Sequence, residues 1–285
     1  MNYMKATESK SSNLPAADKP ADGAVRPDLS RRCNQTSVDD KLTPEETARY
    51  LRHLSLPEVG ASGQARLLRA RVLVVGAGGL GATAIYYLAA AGVGTLGLMD
   101  DDRVELHNLQ RQILYRVEDI GRPKVEAAAK TVQALNPDVK LELLFERWSD
   151  ATPPSRLSRY DCVVDAVDNF ETKMAIASAC HKAERPVMHA GITQYGGQAL
   201  TVVPGRGACY RCLFDEYPSA ADTVNSGTLG VVPGLLGCVQ AAEVIKYLLG
   251  IGRLLVSRLL LFDALTMRFR DVPVFPNQNC PLCRR

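Results

Sequence analysis

The sequence predicts an α/β fold: a doubly wound, mostly parallel sheet with a C-terminal extension. Three observations predict it. Short apolar runs recur between residues 71 and 190, helical patterns separate them, and a Gly-rich turn joins the first run to the first long helix. The chain has 285 residues, 46% of them hydrophobic and 23% charged. That is enough to bury a sizeable core, so a disulfide-stapled miniprotein and wholesale disorder are excluded. A net charge of +3 is too mild to imply a polyanionic partner, so no nucleic acid is expected.

Residues 1–41 are Ser, Pro, Asp, Lys and Ala with scattered apolar positions and no period, and read as a disordered leader. The domain occupies 42–285. Thr43 caps a helix that begins at Pro44, with Glu46 at the capping-box position, and the helix continues through Arg49, Tyr50 and Arg52. A second helix over 63–69 leads into Arg71–Val75, a continuous apolar run of the kind found in a central parallel strand. After the turn Gly76-Ala-Gly-Gly-Leu-Gly81, an Ala-rich helix over 82–91 and a strand over 95–99 complete a βαβ unit that ends at Asp100. Arg122-Pro123-Lys124 opens a helix whose apolar positions are Val125, Ala128, Ala129, Val132 and Leu135, stopped by Asn136-Pro137. Strands at 139–145, 160–165 and 186–189, with a helix at 173–182, continue the alternation. The pattern changes beyond Gly191. A strand at 198–203, a cysteine pair, a loop rich in Pro, Ser and Gly, a helix at 235–249 and a further strand at 259–262 make up a C-terminal part of about 191–285.

The longest charge-free stretch, residues 72–99, is long enough to suggest a membrane helix. Gly76, Gly78, Gly79, Gly81, Gly92, Gly94 and Gly97 interrupt it, which fits strand, turn, helix and strand instead. Residues 1–45 hold no apolar run resembling a signal peptide. The expectation is a cytoplasmic chain with no membrane partner. Its eight cysteines then serve as thiols, metal ligands or catalytic groups rather than disulfides.

The glycine turn follows a strand, opens a helix and is followed by Asp100 nineteen residues after Gly81, the context of a Rossmann-like nucleotide site. Gly76, Gly78 and Gly81 permit a tight turn and close backbone approach, the helix N-terminus offers N–H groups to phosphate, and Asp100 is placed to accept from a ribose. The alternative is that the glycines serve helix–sheet packing alone. A dehydrogenase is the default reading of such a turn, but it leaves the next segment unexplained. Residues 100–112 gather acidic, amide and guanidinium groups just beyond the strand ends, where α/β sheets bind ligands. Asn108, Arg111 and Lys124 can hold a triphosphate, with Asp168 carrying Mg²⁺. Taken singly, Arg111 and Lys124 read as surface cations and Asp168-Asn169 as a turn or helix cap.

In order, Arg49-Tyr-Leu-Arg52, the glycine turn, Asn108-Leu-Gln-Arg-Gln112, Gly121-Arg-Pro-Lys124, Asp165-Ala-Val-Asp-Asn169 and two cysteine pairs resemble the ubiquitin-activating (E1)-like adenylyltransferases, closest to the MoeB, ThiF and HesA branch. The resemblance runs from about residue 42 to the C-terminus. It implies that ATP and the C-terminal Gly-Gly carboxylate of a ubiquitin-like sulfur carrier, of molybdopterin or thiamin type, give carrier acyl-adenylate and pyrophosphate. By the same resemblance Arg111 and Lys124 are cations for the phosphates, Asp168 holds the metal, Asn108 positions phosphate and Asp100 binds ribose. Gly79, Asp102, His107, Leu109, Gln110 and Asn169 complete the nucleotide-contacting set. Arg52 is similar to an arginine that reaches the phosphates from the partner subunit, which implies a homodimer. No general base is needed, because the carrier carboxylate is ionised at neutral pH.

Cys209-Tyr-Arg-Cys212 and Cys280-Pro-Leu-Cys283 are two C-x2-C pairs, and four thiolates suit a closed, tetrahedral, structural Zn²⁺ site. A redox C-x-x-C needs one reactive pair, not two. The family's sulfur-handling members carry a cysteine where this chain has Thr223, and a protonated threonine hydroxyl forms no ready thioester or persulfide. The expectation is an adenylator without a covalent thiol step. The chain ends at Arg285 with no rhodanese-like extension, so a separate sulfur donor is expected.

Cys162, Cys180 and Cys238 read as small buried hydrophobes, and Cys33 lies in the leader beside two arginines. His53, His181 and His189 read as structural. Tyr195-Gly-Gly197 and Tyr210 are candidates for lining a channel that takes a Gly-Gly tail. The competing functions are adenylation of a peptide or other carboxylate, and a catalytically idle binder of a ubiquitin-like partner.

Overall fold

Strand β1 (Arg71–Val75) sits mid-sheet in a computed structural model that describes residues 41–149, 152–214 and 227–284. Its Val72, Leu73, Val74 and Val75 are at most 2% exposed, which is why an unalternating apolar run is stable only here, covered on both faces. Burying each such side chain contributes about 1.5–3 kcal/mol relative to leaving it in water.

The sheet has the order β3-β2-β1-β4-β5-β6-β7-β8 among the described residues. The strands are β2 (Thr95–Met99), β3 (Lys140–Leu144), β4 (Cys162–Asp165), β5 (Val187–Ile192), β6 (Gly196–Val202), β7 (Arg258–Asp263) and β8 (Arg268–Pro273). Pairings from β3 to β5 are parallel, and those from β5 to β8 antiparallel. The strand order therefore reverses between β1 and β4, and ligands bind outside the carboxyl ends of the strands at such a point.

The helices are α1 (Pro44–Arg49), α2 (Leu51–Leu54), α3 (Gly60–Arg69), α4 (Gly79–Ala90), α5 (Lys124–Leu135), α6 (Pro154–Leu157), α7 (Phe170–Lys182), α8 (Tyr210–Leu213) and α9 (Val231–Leu249). One face of the sheet carries α4 with α5 and α9 packed beside it, and α3 against α9. The other face carries α6, α7 and α8, whose core joins Leu73 and Val163 to Trp148, Leu157, Ile176 and Tyr210. Helix α9 is long and apolar enough to cross a membrane, but over half of that stretch is buried against α4, β5 and β6.

The capping box forms as expected: Thr43 N–H donates to Glu46 Oε2 at 2.8 Å, and Glu46 N–H to Thr43 Oγ1 at 3.1 Å. The helix expected to run on through Tyr50 instead breaks there. The Tyr50 ring is 3% exposed, and its hydroxyl accepts from Asn136 Nδ2 at 2.9 Å, so burying the ring turns the backbone out of the helix. Helix α4 begins three residues before the expected start, because the glycines are themselves its first turn. Strand β8 was not expected at all: all six residues are exposed, so no burial pattern announces it. The leader apart from Lys41, and Thr223, lie outside the described residues.

Candidate functional site

The turn after β1 is built around two close approaches. At Gly76, φ is +94°, and a Cβ there would stand 2.7 Å from Ala166 O; at Gly81 a Cβ would stand 1.9 Å from Gly76 O. Only glycine fits either place. Ala77 N–H donates to Asp100 Oδ2 at 2.7 Å, Asp102 N–H to Asp100 Oδ1 at 2.9 Å, and Tyr115 Oη–H to Ala77 O at 2.7 Å. Both oxygens of Asp100, expected to face a ribose, thus already accept backbone N–H groups and hold the turn, leaving one lone pair each for a ligand. Burial pushes its carboxyl above the usual value, against the pull of Lys124 and of the two N–H groups.

The segment from Asp100 to Lys124 closes on itself over this turn. Lys124 N–H donates to Asp102 O at 2.9 Å, and its Nζ, on a residue only 5% exposed, donates to Asp102 Oδ2 at 2.7 Å. Asn108 is 4% exposed; its Oδ1 accepts from Glu105 N–H at 3.1 Å and its Nδ2 lies 3.1 Å from His107 Nε2. Arg111 Nη1 donates to His107 O at 3.0 Å, and its Cγ passes beside Gly79. Gly230, at the entry to α9, abuts Gln110, and Pro233 abuts Gly79. The structure therefore sets Arg111 beside Gly79 and ties Lys124 to the turn through Asp102 and Asp100, with Asn108 buried in the same segment. Among the other expected contacts, Asp102 is taken up by Lys124, Leu109 is half-buried, and Gln110 is exposed beside α9.

Gln112 was missed as a site residue. It is 3% exposed, it lies beside Gly78, and its Oε1 has no partner, a buried acceptor left open next to the turn. Its place inside the Asn108–Gln112 motif was the available signal.

Asp168 is exposed on the loop after β4, and Asn169 is the cap of α7, its Oδ1 accepting from Thr172 N–H at 2.9 Å. Of the two residues expected at the nucleotide, Asn169 has one lone pair of its Oδ1 committed to the helix. Among the described residues no third ligand group gathers around Asp168. The clustered carboxylates are instead those of Asp100, Asp101 and Asp102.

Arg52 lies on α2 at the opposite end of α4. Its neighbour His53 bonds Gln64, which donates to Ala91 O, while Tyr50 packs on Gly92. The 12 residues of α4 put roughly 18 Å between that end and the glycine turn, too far for an arginine of the same chain to reach it. Tyr195 is 48% exposed as a channel residue requires, but Tyr210 is 6% exposed and stacked on His189, so it lines no open channel. Cys162 and Cys180 are buried as expected, whereas Cys238 is half-buried.

Beneath the Asp168 loop lies a buried charge cluster that the motifs did not show. Asp165, 0% exposed, receives Lys173 Nζ at 3.2 Å on each oxygen and His189 Nδ1 at 2.6 Å. Burial raises the Asp165 carboxyl, but Lys173 and His189 more than offset it and hold it below the usual value. Burial also lowers His189, against Asp165's pull, so the ring is neutral near pH 7 with its proton on Nδ1. Both shifts have the same sign for stability: the unfolded chain binds the protons more readily, so stability falls as pH drops below about 6.5. The expected result is a lower Tm at about pH 5.5 than at about pH 7.5, with a smaller difference in His189→Leu, checked by thermal denaturation across that range.

The two cysteine pairs meet. Sγ separations are 3.7 Å for Cys209 and Cys212, 3.5 Å for Cys209 and Cys280, and 3.3 Å for Cys212 and Cys283, and all four sulfurs lie within 4.8 Å of one another. These are too long for disulfides and close to the roughly 3.8 Å edge of a tetrahedron with metal–sulfur distances of about 2.3 Å. Burial would raise the Cys280 thiol, but the N–H groups of Cys283 and Leu282 and the neighbouring thiols bring it down to about 7. Asn277 N–H points at Cys212 Sγ at 3.3 Å. The donor set fits a thiolate-bound ion.

Comparison with known proteins follows the same lines. The model of the ThiF family matches residues 50–282. The chain is similar to the SAMP-activating enzyme E1 of Haloferax volcanii, 49% identical over 245 residues that cover 85% of this chain and 90% of that protein. It is also similar to the sulfur carrier protein adenylyltransferase of Thermus thermophilus, 45% identical over 251 residues, covering 85% and 93%. Among solved structures, E. coli MccB shares the fold with a TM-score of 0.75 at 22% identity, covering 86% of this chain and 76% of that one.

Proposed function

The chain belongs to the ThiF family, and from that premise we propose that it adenylates the C-terminal Gly-Gly carboxylate of a small ubiquitin-like sulfur carrier. The observation that carries this reading is that Arg111 passes beside Gly79 of the glycine turn and Lys124 is tied to that turn through Asp102 and Asp100, with Asn108 buried in the same segment. A hydride-transfer site has no use for two cations and a buried amide there. In the reaction a carboxylate oxygen attacks the α-phosphorus of ATP, the bond from that phosphorus to the bridging oxygen breaks, and pyrophosphate leaves. Both partners are anions, so the chain's work is to neutralise phosphate oxygens and hold the nucleophile in line. The N–H groups opening α4 face the phosphates, Arg111 and Lys124 supply positive charge, and Asn108 fixes their position. A divalent ion bound with the phosphates supplies further charge neutralisation, and Asp168 is the residue that would hold it.

Arg52 cannot reach its own chain's turn, which supports a homodimer in which it serves the partner's site. The four cysteines suit Zn²⁺ as a structural ion. The rest of the reading is a chain acting in the cytoplasm, without membrane or nucleic acid, with a separate protein as sulfur donor.

The test is ATP–pyrophosphate exchange with Mg²⁺, with and without carriers ending in Gly-Gly. Carrier-dependent exchange is expected, and ATP binding without exchange for any carrier would sink the reading in favour of another carboxylate or an idle binder. Thr223→Ala is expected to change the rate by less than about twofold, since adenylation needs no thiol or hydroxyl nucleophile from the enzyme. A large loss would place Thr223 in the adenylation step.

A further inference from the structure

The cluster of Asp165, Lys173 and His189 is an expensive way to fill a core. Desolvating an ion pair offsets most of its attraction, and apolar replacements of similar volume usually hold a fold as well. Its hydrogen bonds go to the backbone beneath the Asp168 loop. Asp165 Oδ1 accepts from Val167 N–H at 3.2 Å, and Lys173 Nζ donates onward to Ala190 O at 2.5 Å. Gln240 Nε2 joins Asp165 O and Met188 O at 2.7 and 2.8 Å. Between these anchors Ala166 N–H donates to Val75 O at 2.9 Å, and Ala166 O is the atom that excludes a Cβ from Gly76. Asp168 therefore emerges from a turn tied on one side to the glycine turn and on the other to the charge cluster.

The histidine is placed as an orienting group. With Nδ1–H given to Asp165, its Nε2 is buried and unpartnered, and its ring stacks on Tyr210 at 4.2 Å and 27°. Among the described residues, the ring is hydrogen-bonded to Asp165 alone. Lys173 balances the carboxylate's charge, and together they hold both its oxygens.

We propose that Lys173 and His189 are positioning residues of the adenylation site, acting through Asp165 to fix the 165–169 turn and so the direction in which Asp168 is presented beside the glycine turn. This rests on the role given to Asp168 above. Loosening the groups that orient a metal-holding carboxylate costs about 10–100-fold in metal affinity or activity.

The experiment is direct ATP binding by the full chain, with and without Mg²⁺, so no carrier is required. Three variants are compared with the parent: Asp168→Asn, His189→Leu and His189→Asn, the last keeping a donor near the Nδ1 position. Asp168→Asn is expected to abolish the gain in ATP affinity that Mg²⁺ brings. His189→Leu should bind ATP without Mg²⁺ within about twofold of the parent and lose about tenfold of the Mg²⁺-dependent gain, and His189→Asn should restore most of it. Lys173→Gln provides a second measurement on the same scale if His189→Leu does not fold. An unchanged Mg²⁺ gain in folded His189→Leu, with Asp168→Asn defective, would overturn the proposal while leaving the site assignment standing. So would an equal loss of ATP binding with and without Mg²⁺, which is the mark of a packing role alone. An Asp168→Asn variant that keeps the full gain would instead remove the assignment of Asp168 itself.

Discussion

Asp168→Ala is expected to reduce carrier-dependent ATP–pyrophosphate exchange by about a hundredfold or more, and Arg111→Ala by a similar factor, with little change in Tm. The magnitude follows from the reaction's electrostatics: Arg111 presents positive charge to the phosphates and Asp168 acts through the divalent ion it would hold, and fixed charge stabilisation of this kind contributes about 10²–10³ in rate. The lack of effect on folding follows from where the residues sit. Asp168 is exposed, and among the described residues the Arg111 guanidinium bonds only the His107 carbonyl, so neither loss leaves a buried group among them stranded. Rates measured alongside thermal melts separate the two. A variant that melts as the parent does and still exchanges at the parental rate would show that its residue is not part of the chemistry.

Cys283→Ala should lose bound zinc and lower stability by about 3 kcal/mol, roughly 6–12 °C in Tm for a domain of this size. Cys283 Sγ stands 3.3 Å from Cys212 Sγ and within 4.8 Å of the other two sulfurs, so its removal opens the tetrahedron. Metal binding to preformed ligands is folding free energy, and a three-thiolate remnant holds the ion less tightly. Cys238→Ala, half-buried on α9 and remote from the cluster in sequence, is the matching control. Metal content measured by elemental analysis and Tm measured on the same samples check the claim. Parental metal content and Tm in Cys283→Ala would remove it.

Much of this was legible in the sequence because it depends on local rules. The buried run 72–75, the glycine turn and the Pro-stopped helix after Lys124 each obey constraints that act over a few residues; β1 and α5 lie where those constraints put them, and α4 only starts one turn early, on the glycines themselves. The C-x2-C pairs announced a cluster because four thiols at that spacing have few other uses. What was missed depends on partners distant in the chain. Lys173 reads as one polar residue in a helix and His189 as one in a strand, and only the parallel pairing of β4 with β5 sets His189 opposite Asp165. Tyr50 broke its helix for the sake of Asn136, 86 positions away. Arg52 was named from a resemblance, and its separation from its own chain's glycine turn follows from the length of α4, a distance that no motif encodes.

Among the described residues the sheet ends at β3 and at β8, and an open strand is a template on which another chain can pair. The sequence makes both templates poor. Strand β8 carries Arg268, Arg270 and Asp271 and closes on Pro273, which has no N–H to offer, while β3 carries Lys140 and Glu142, the latter held by Arg71 and Arg159. Charge and proline thereby discourage strand addition to a neighbour at either margin, a constraint on these residues that the proposed chemistry does not impose.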